Sequence, residues 1–207
     1  ACAISDTMFP ILTQYDEDIH SSALKEVQNA KEFRTESDLL GEIQVPKDAY
    51  YGVQSLRGLY NYNITCVRLS SYRNFIKAFG MIKKACIIAN GRLGLIKKEI
   101  VDAVSQACDE VIEGKLDDQF IVDMIQGGAG TSTNMNANEV IANRALEIMG
   151  RPKGEYTTVS PNDHINKCQS TNDTYPSSGK LGMYLDHFEL VAELEKLIDA
   201  FEKKAEE

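Results

Sequence analysis

Apolar residues recur at helical spacing in several stretches separated by turn formers. Tyr72, Phe75, Ile76, Phe79, Ile82, Cys86 and Ala89 share one face, which predicts a helix from a cap at Ser70 or Ser71 to about Asn90. Asn90-Gly91 then acts as a stop. Ile100, Val101, Val104, Cys108, Val111 and Ile112 predict a second helix over Lys97–Glu113, with Gly114 as its C-cap. A third is expected from about Asn134 to Met149, ended by Gly150-Arg151-Pro152. The last runs from about Asn172 or Ser178 to Glu207. Its residues Tyr184, Phe188, Val191, Leu194, Ile198, Phe201 and Ala205 step by threes and fours, a period near 3.5 that suits a helix lying lengthwise in a bundle. Gly41, Pro46, Asp48, Gly52 and Gly58 make residues 34–65 a region of loops and a short hairpin. A short helix over Ser22–Phe33, capped by Ser21 or Ser22, precedes it. The pattern as a whole predicts a mainly α protein.

Charge narrows the function classes. The 207 residues carry a formal net charge of −9, which argues against a nucleic-acid surface but leaves room for a local site that attracts a small anion. In residues 1–33 six acids face two lysines, so −4 of the total lies there. No apolar run approaches the roughly 18 residues of a membrane span. No basic residue precedes the short apolar patch Met8–Leu12, so no secretory signal is expected. The five cysteines, Cys2, Cys66, Cys86, Cys108 and Cys168, are widely spaced without a CxxC, which points to reduced thiols and a cytoplasmic protein. Asp117-Asp118 reads as a charged turn rather than a metal site; no cofactor is expected, with activation by a divalent cation left open. The terminal helix pattern breaks off over Glu202–Glu207 without Gly, Pro or cap, which predicts truncation or assembly with other chains.

Two polar segments remain as carriers of chemistry. Gln126-Gly127-Gly128-Ala129-Gly130-Thr131-Ser132-Thr133 leads into the third helix. Three glycines in four positions allow close backbone approach to a ligand, and the N–H groups of a helix start suit a carboxylate or phosphate. A Gly-rich connector with hydroxyl caps would look the same. No Lys follows the last Gly, so this is not a Walker loop, and no βαβ unit supports a dinucleotide fingerprint. Asn134, Asn136 and Asn138 are unusual in one helical turn, because Asn is a mediocre helix former; amides there make sense if they hold loops or ligands. The second segment, Ser160–Pro176, includes Asn162, Asp163, His164 and Gln169. It ends in Ser170, Thr171, Asn172 and Asp173, four preferred N-cap types where one helix needs one cap. The other three are expected to leave donors for a ligand. His164 has the chemistry of an acid or base, although a lone His in a polar loop is more often structural.

Gly127–Val140 and Asn162–Asp173 resemble the two successive motifs of the aspartase/fumarase superfamily. Asp38-Leu39-Leu40-Gly41-Glu42 and Val45–Gln54 are similar to its N-terminal segment, so the resemblance covers about residues 34–207. Tyr50-Tyr51-Gly52 and Lys167-Cys168-Gln169 look like the aspartases, whereas fumarases place Trp before that Gly and Ser before that Gln. Ser160 stands where fumarases carry the His of a secondary dicarboxylate site.

The resemblance implies reversible deamination of L-aspartate to fumarate and ammonia through an aci-carboxylate intermediate. It implies a homotetramer with a central helical bundle, no nucleic-acid or membrane partner, and a small dicarboxylate substrate. Residue by residue, Thr131, Ser170, Thr171 and Asn172 match the substrate-contacting positions. Gly127, Gly128, Gly130, Ser132, Asn134, Asn136, Asn162, Asp163, His164 and Gln169 match supporting positions. The family's base is a serine on a loop reading Gly-Ser-Ser-x-Met-Pro-x-Lys-x-Asn. Neither that string nor Gly-Arg-Thr-x-x-Gln-Asp-Ala occurs in this sequence, so no catalytic residue is assigned and the chain alone is expected to be inactive. The expected organisation is an extension over 1–33, an N-terminal lyase domain over 34–171 and the start of a bundle domain over 172–207. A class II fumarase and a non-catalytic helical interaction module are the alternatives.

Overall fold

In a computed structural model, residues 23–62, 64–65, 67–128 and 130–207 are described. Residues 23–28 are helical, with Ala23 and Val27 buried. The helix expected to reach Phe33 therefore stops short, since Phe33 opens a strand; its expected caps, Ser21 and Ser22, lie outside the described residues. Strand β1 (Phe33–Asp38) pairs antiparallel with β2 (Gly41–Pro46), Phe33 opposite Pro46 and Asp38 opposite Gly41. The turn between them closes when Leu40 N donates to Asp38 Oδ1 (2.8 Å), and Gly41 takes a φ of +112°, a conformation for which Gly carries no steric penalty. This is the expected hairpin.

Helix α1 (Val53–Asn61) occupies a stretch where only loops and a hairpin were expected. Its N-cap, Gly52, offers no side chain. The orphan N–H groups of the first turn are met from elsewhere in the fold: Gly52, Gln54 and Ser55 N donate to the Glu139 carboxylate, and Val53 N donates to Glu36 Oε2. No local cap signal exists to be read.

Helix α2 (Arg73–Arg92) starts after a 3-10 turn at Leu69–Ser71, and neither Ser70 nor Ser71 caps it; Tyr72 holds that position without a side-chain bond. Its buried face is Ile76, Phe79, Lys83, Ile87 and Asn90. Ala89, expected inside, is exposed, and Ile82 and Cys86 are half-buried. The face is turned because α2 packs on two sides, against α3 and α5.

Helix α3 (Lys98–Glu113) buries Ile100, Val104, Cys108 and Val111 as expected. It ends in a Schellman motif: Gly114 has φ +86°, its N–H donates to Val111 O, and Lys115 N donates to Glu110 O.

Helix α4 (Thr131–Ile148) starts one turn earlier than expected, and α5 (Thr171–Ala205) runs for 35 residues, about 50 Å. α4 packs on α3 and α1 around a core that includes Leu56, Leu59, Val104, Phe120, Val140, Ile141 and Leu146. Only the first turns of α5 join this body, through Thr174, Ser178 and Gly182; a Cβ at Gly182 would lie 3.2 Å from Phe75 Cα, so α5 and α2 touch backbone to backbone there. Beyond it the periodic stripe Tyr184, Phe188, Leu194, Ile198 and Phe201 faces solvent.

Candidate functional site

The Gly-rich loop is shaped by what surrounds it. A Cβ on Gly127 would lie 2.6 Å from the Tyr62 hydroxyl, and one on Gly130 would enter the Tyr175 ring; Gly128 and Gly130 also have φ of +73° and +89°. Gly130 precedes α4 without a capping side chain. Gln126 takes that role from four residues away: Thr133 N donates to its Oε1 (2.8 Å), and its Nε2 donates to Thr133 Oγ1 (2.6 Å). This external cap lets the helix begin at Thr131 rather than Asn134. Thr131 is exposed on the first turn, Ser132 is half-buried beside Gly58, and Thr133 is buried.

The three asparagines serve the fold. Asn136 is buried and holds residues 119–121, with Oδ1 accepting from Ile121 N (3.0 Å) and Nδ2 donating to Gln119 O (3.0 Å). Asn138 Nδ2 donates to Asn166 Oδ1 (3.3 Å). Asn134 joins the two helix starts: its Nδ2 donates to Thr171 Oγ1 (3.2 Å) and to Asn166 Oδ1 (3.1 Å), and its Oδ1 accepts from Thr174 Oγ1 (3.2 Å). The two polar segments, some forty residues apart in sequence, therefore meet at one place.

At the start of α5, Ser170 Oγ accepts from Asn172 N (3.2 Å), and Ser170 N donates to the Asp173 carboxylate, forming a capping box. The four cap-type residues are thus not all spare. Ser170 and Asp173 close the box, Thr171 accepts from Asn134, and Asn172 alone keeps an exposed amide. Ser170 and Thr171 each accept through the hydroxyl oxygen, which leaves each O–H proton for another acceptor.

Asn162 and Asp163 are exposed at a π-helical turn, Pro161–Ile165. Ser160 Oγ caps that turn by accepting from Asp163 N. His164 is half-buried; its Nδ1 accepts from Ser160 N (2.9 Å), and burial lowers its pKa. Nδ1 of the ring is therefore held as an acceptor inside its own turn. Asp117 is a turn residue paired with Arg73 (3.1 Å). Among the described residues no His, Cys, Asp or Glu cluster is arranged to hold a metal.

One residue at the centre escaped the sequence reading. Lys83 of α2 is fully buried, and its Nζ donates to Asn134 Oδ1 (2.8 Å), Asn166 Oδ1 (3.0 Å) and Gln169 Oε1 (2.9 Å). Burial lowers its pKa from 10.5 to about 7. The signal was present: Lys83 lies four residues from both Phe79 and Ile87, in core register.

Neither large cavity contains the substrate-contacting candidates. One of about 750 Å³ lies between α2 and α5 and is lined by Tyr72, Phe75, Tyr175, Met183 and Asp186. Another of about 630 Å³ lies by the hairpin, lined by Asp38, Gln54, Glu139, Tyr156 and Asn162. Thr131, Ser170 and Asn172 are exposed and Thr171 is half-buried, and the starts of α4 and α5 that carry them are tied together through Asn134.

Residues 41–207 match the family model described as Lyase. The chain is 54% identical over 174 residues to the aspartate ammonia-lyase of Helicobacter pylori J99, covering 84% of this chain and 37% of that protein. It is 50% identical over 175 residues to that of Escherichia coli K12, again 84% and 37%. Among solved structures, the native fumarate lyase:delta crystallin from Brucella melitensis superposes with a TM-score of 0.81 at 48% identity, covering 82% of this chain and 40% of that one. The class II fumarase of Schistosoma mansoni gives 0.66 at 38% identity, covering 73% and 32%. The chain thus spans little more than a third of the length of the curated relatives it matches. It belongs to the aspartase/fumarase superfamily of lyases.

Proposed function

We propose that this chain is part of an aspartate ammonia-lyase, a carbon–nitrogen lyase that reversibly converts L-aspartate to fumarate and ammonia. Thr131, Ser170, Thr171 and Asn172 form its contribution to the substrate site. The observation that supports the reading is the junction at Asn134, which ties the start of α4, where Thr131 is exposed, to the start of α5, where Ser170 and Asn172 are exposed. Identity of 50–55% to aspartate ammonia-lyases supports the choice of substrate.

Chemically, removal of a Cβ proton makes the neighbouring carboxylate a dianionic aci-carboxylate. Donors aimed at that growing charge lower the barrier; one such donor is typically worth about 3–4 kcal/mol. Two helix N-termini and the hydroxyls of Thr131, Ser170 and Thr171 are of the right kind, since each favours negative charge. By the family resemblance the base is a serine of a Gly-Ser-Ser-x-Met-Pro-x-Lys-x-Asn loop, a string that does not occur among these 207 residues. The exposure of Thr131, Ser170 and Asn172 fits a site completed by other segments, and the solvent-facing stripe of α5 fits burial in a homotetrameric bundle. No helix among the described residues is long and apolar enough to cross a membrane. The described cysteines, Cys86, Cys108 and Cys168, are free thiols, in keeping with a cytoplasmic setting.

The test is turnover by the full-length protein on L-aspartate against L-malate, followed by fumarate absorbance. Fumarate from L-aspartate, falling about 100-fold or more in kcat/KM in Thr131→Ala, is the expected result. Fumarate from malate alone would make the protein a fumarase. Turnover of neither would leave an interaction module.

A further inference from the structure

Lys83 sits among Ile76, Phe79 and Ile87 on the interior face of α2, where an ammonium has lost its hydration and persists only if strong acceptors replace the water. Its three N–H groups find three acceptors, from Asn134 on α4, Asn166 after the π-helical turn and Gln169 just before α5. All three are neutral amide oxygens, so no ion pair cancels the charge at contact.

The direction of these bonds matters more than their number. An ammonium can only donate. Asn134 must therefore turn Oδ1 towards Lys83 and Nδ2 away from it, and Nδ2 meets Thr171 Oγ1 at 3.2 Å. Thr171 is thereby made an acceptor on its inner side, and its own proton is directed elsewhere. Gln169 is oriented by the same logic: Oε1 faces Lys83, and Nε2 donates to Ile165 O (2.9 Å). Thr174 adds a second tie, its single hydroxyl proton shared between Ser170 O (2.8 Å) and Asn134 Oδ1 (3.2 Å).

We infer that Lys83 is a positioning residue for the anion-binding face: by donating to Asn134, Asn166 and Gln169 it sets the polarity of the amide network and leaves Thr171 to donate its hydroxyl proton outward to a carboxylate. The inference rests on the reading of Thr171 as a substrate contact. Charge assists once Lys83 is protonated: Asp173 on the first turn of α5 would repel an arriving dianion, and the ammonium, whose protonation the dianion itself favours, opposes that repulsion. The titratable groups facing Lys83 are Cys86 on α2, Cys108 on α3 and Asp173 on α5, while α4 and the π-helical turn present the amides of Asn134 and Asn166.

The experiment uses the full-length protein with succinate, an unreactive dicarboxylate, and with L-aspartate. Lys83→Met, which removes donors and charge, should weaken succinate binding and raise KM for L-aspartate by about tenfold or more, with circular dichroism unchanged. Lys83→Arg, which restores donors, should recover part of both. A folded Lys83→Met protein that binds succinate within about twofold of wild type overturns the inference. Should Lys83→Met fail to fold, calorimetry on the wild type decides, in two buffers of different ionisation enthalpy. A dianion near Lys83 raises its proton affinity, so binding should take up protons between pH 7 and 9, an uptake absent in Lys83→Arg. No uptake in wild type refutes the role. If wild type neither binds succinate nor turns over L-aspartate, the substrate reading itself has failed.

Discussion

Replacing Arg34 by alanine should be among the most damaging single changes in this chain. Arg34 Nη1 donates to Pro46 O (2.8 Å), Lys47 O (3.1 Å) and Ala49 O (2.8 Å), Nη2 donates to Tyr51 O (2.8 Å), and Nε donates to Glu36 Oε1 (2.8 Å). One guanidinium thus ties the hairpin to the whole run from β2 to the start of α1. Its partner Glu36 has a side chain only 2% exposed, and the other carboxylate oxygen caps α1 at Val53 N. Removing Arg34 leaves a buried carboxylate unpaired, a loss worth about 3–5 kcal/mol. It also strands carbonyls at roughly 1 kcal/mol or more each where water cannot reach them. Because these bonds share one side chain they do not add, and about 4 kcal/mol is the expected total. At about 2–4 °C per kcal/mol for a chain of this size, Tm should fall by about 8–16 °C. Arg34→Lys keeps the charge but cannot span carbonyls in three directions, so it should lose roughly half as much. Urea titration by circular dichroism measures both. A loss below about 1 kcal/mol for Arg34→Ala, or wild-type stability for Arg34→Lys, would refute the claim that the fork organises residues 46–53.

Gly130→Ala should destabilise by about 2 kcal/mol or more, since φ of +89° is strained for alanine and the new Cβ meets the Tyr175 ring, itself packed edge-on to Phe75 at 5.5 Å. A melting temperature within about 2 °C of wild type would contradict this. The pH dependence of stability should carry two opposed slopes. Burial raises Glu139 from 4.5 to about 7, so the unfolded chain releases that proton first and the group's contribution falls as pH rises from 4.5 to 7. Burial lowers Lys83 from 10.5 to about 7, so the unfolded chain holds its proton longer and that contribution rises above pH 7. Urea midpoints against pH should lose the first slope in Glu139→Gln and the second in Lys83→Met. Curves parallel to wild type would dismiss both assignments.

The helices that follow local rules were legible in the sequence. α3 carries its own stripe and its own Gly114 stop, the hairpin its own turn formers, and α5 its own Ser170 cap, so short-range sterics and capping suffice to mark them. The two polar segments stood out for the same reason, because runs of Gly, Ser, Thr and Asn are conspicuous in composition. What the sequence could not disclose were interactions that close over long separations. α1 is capped by Glu139, more than eighty residues away, so no pattern near Gly52 announces a helix. α4 begins early because Gln126 caps it from outside the helix. The asparagines of α4, conspicuous as ligand candidates, are spent on joining loops. Lys83 becomes central only once α2, α4 and α5 converge on it: periodicity records which face is inside, but only the tertiary structure supplies the three amide oxygens that make a buried ammonium tolerable.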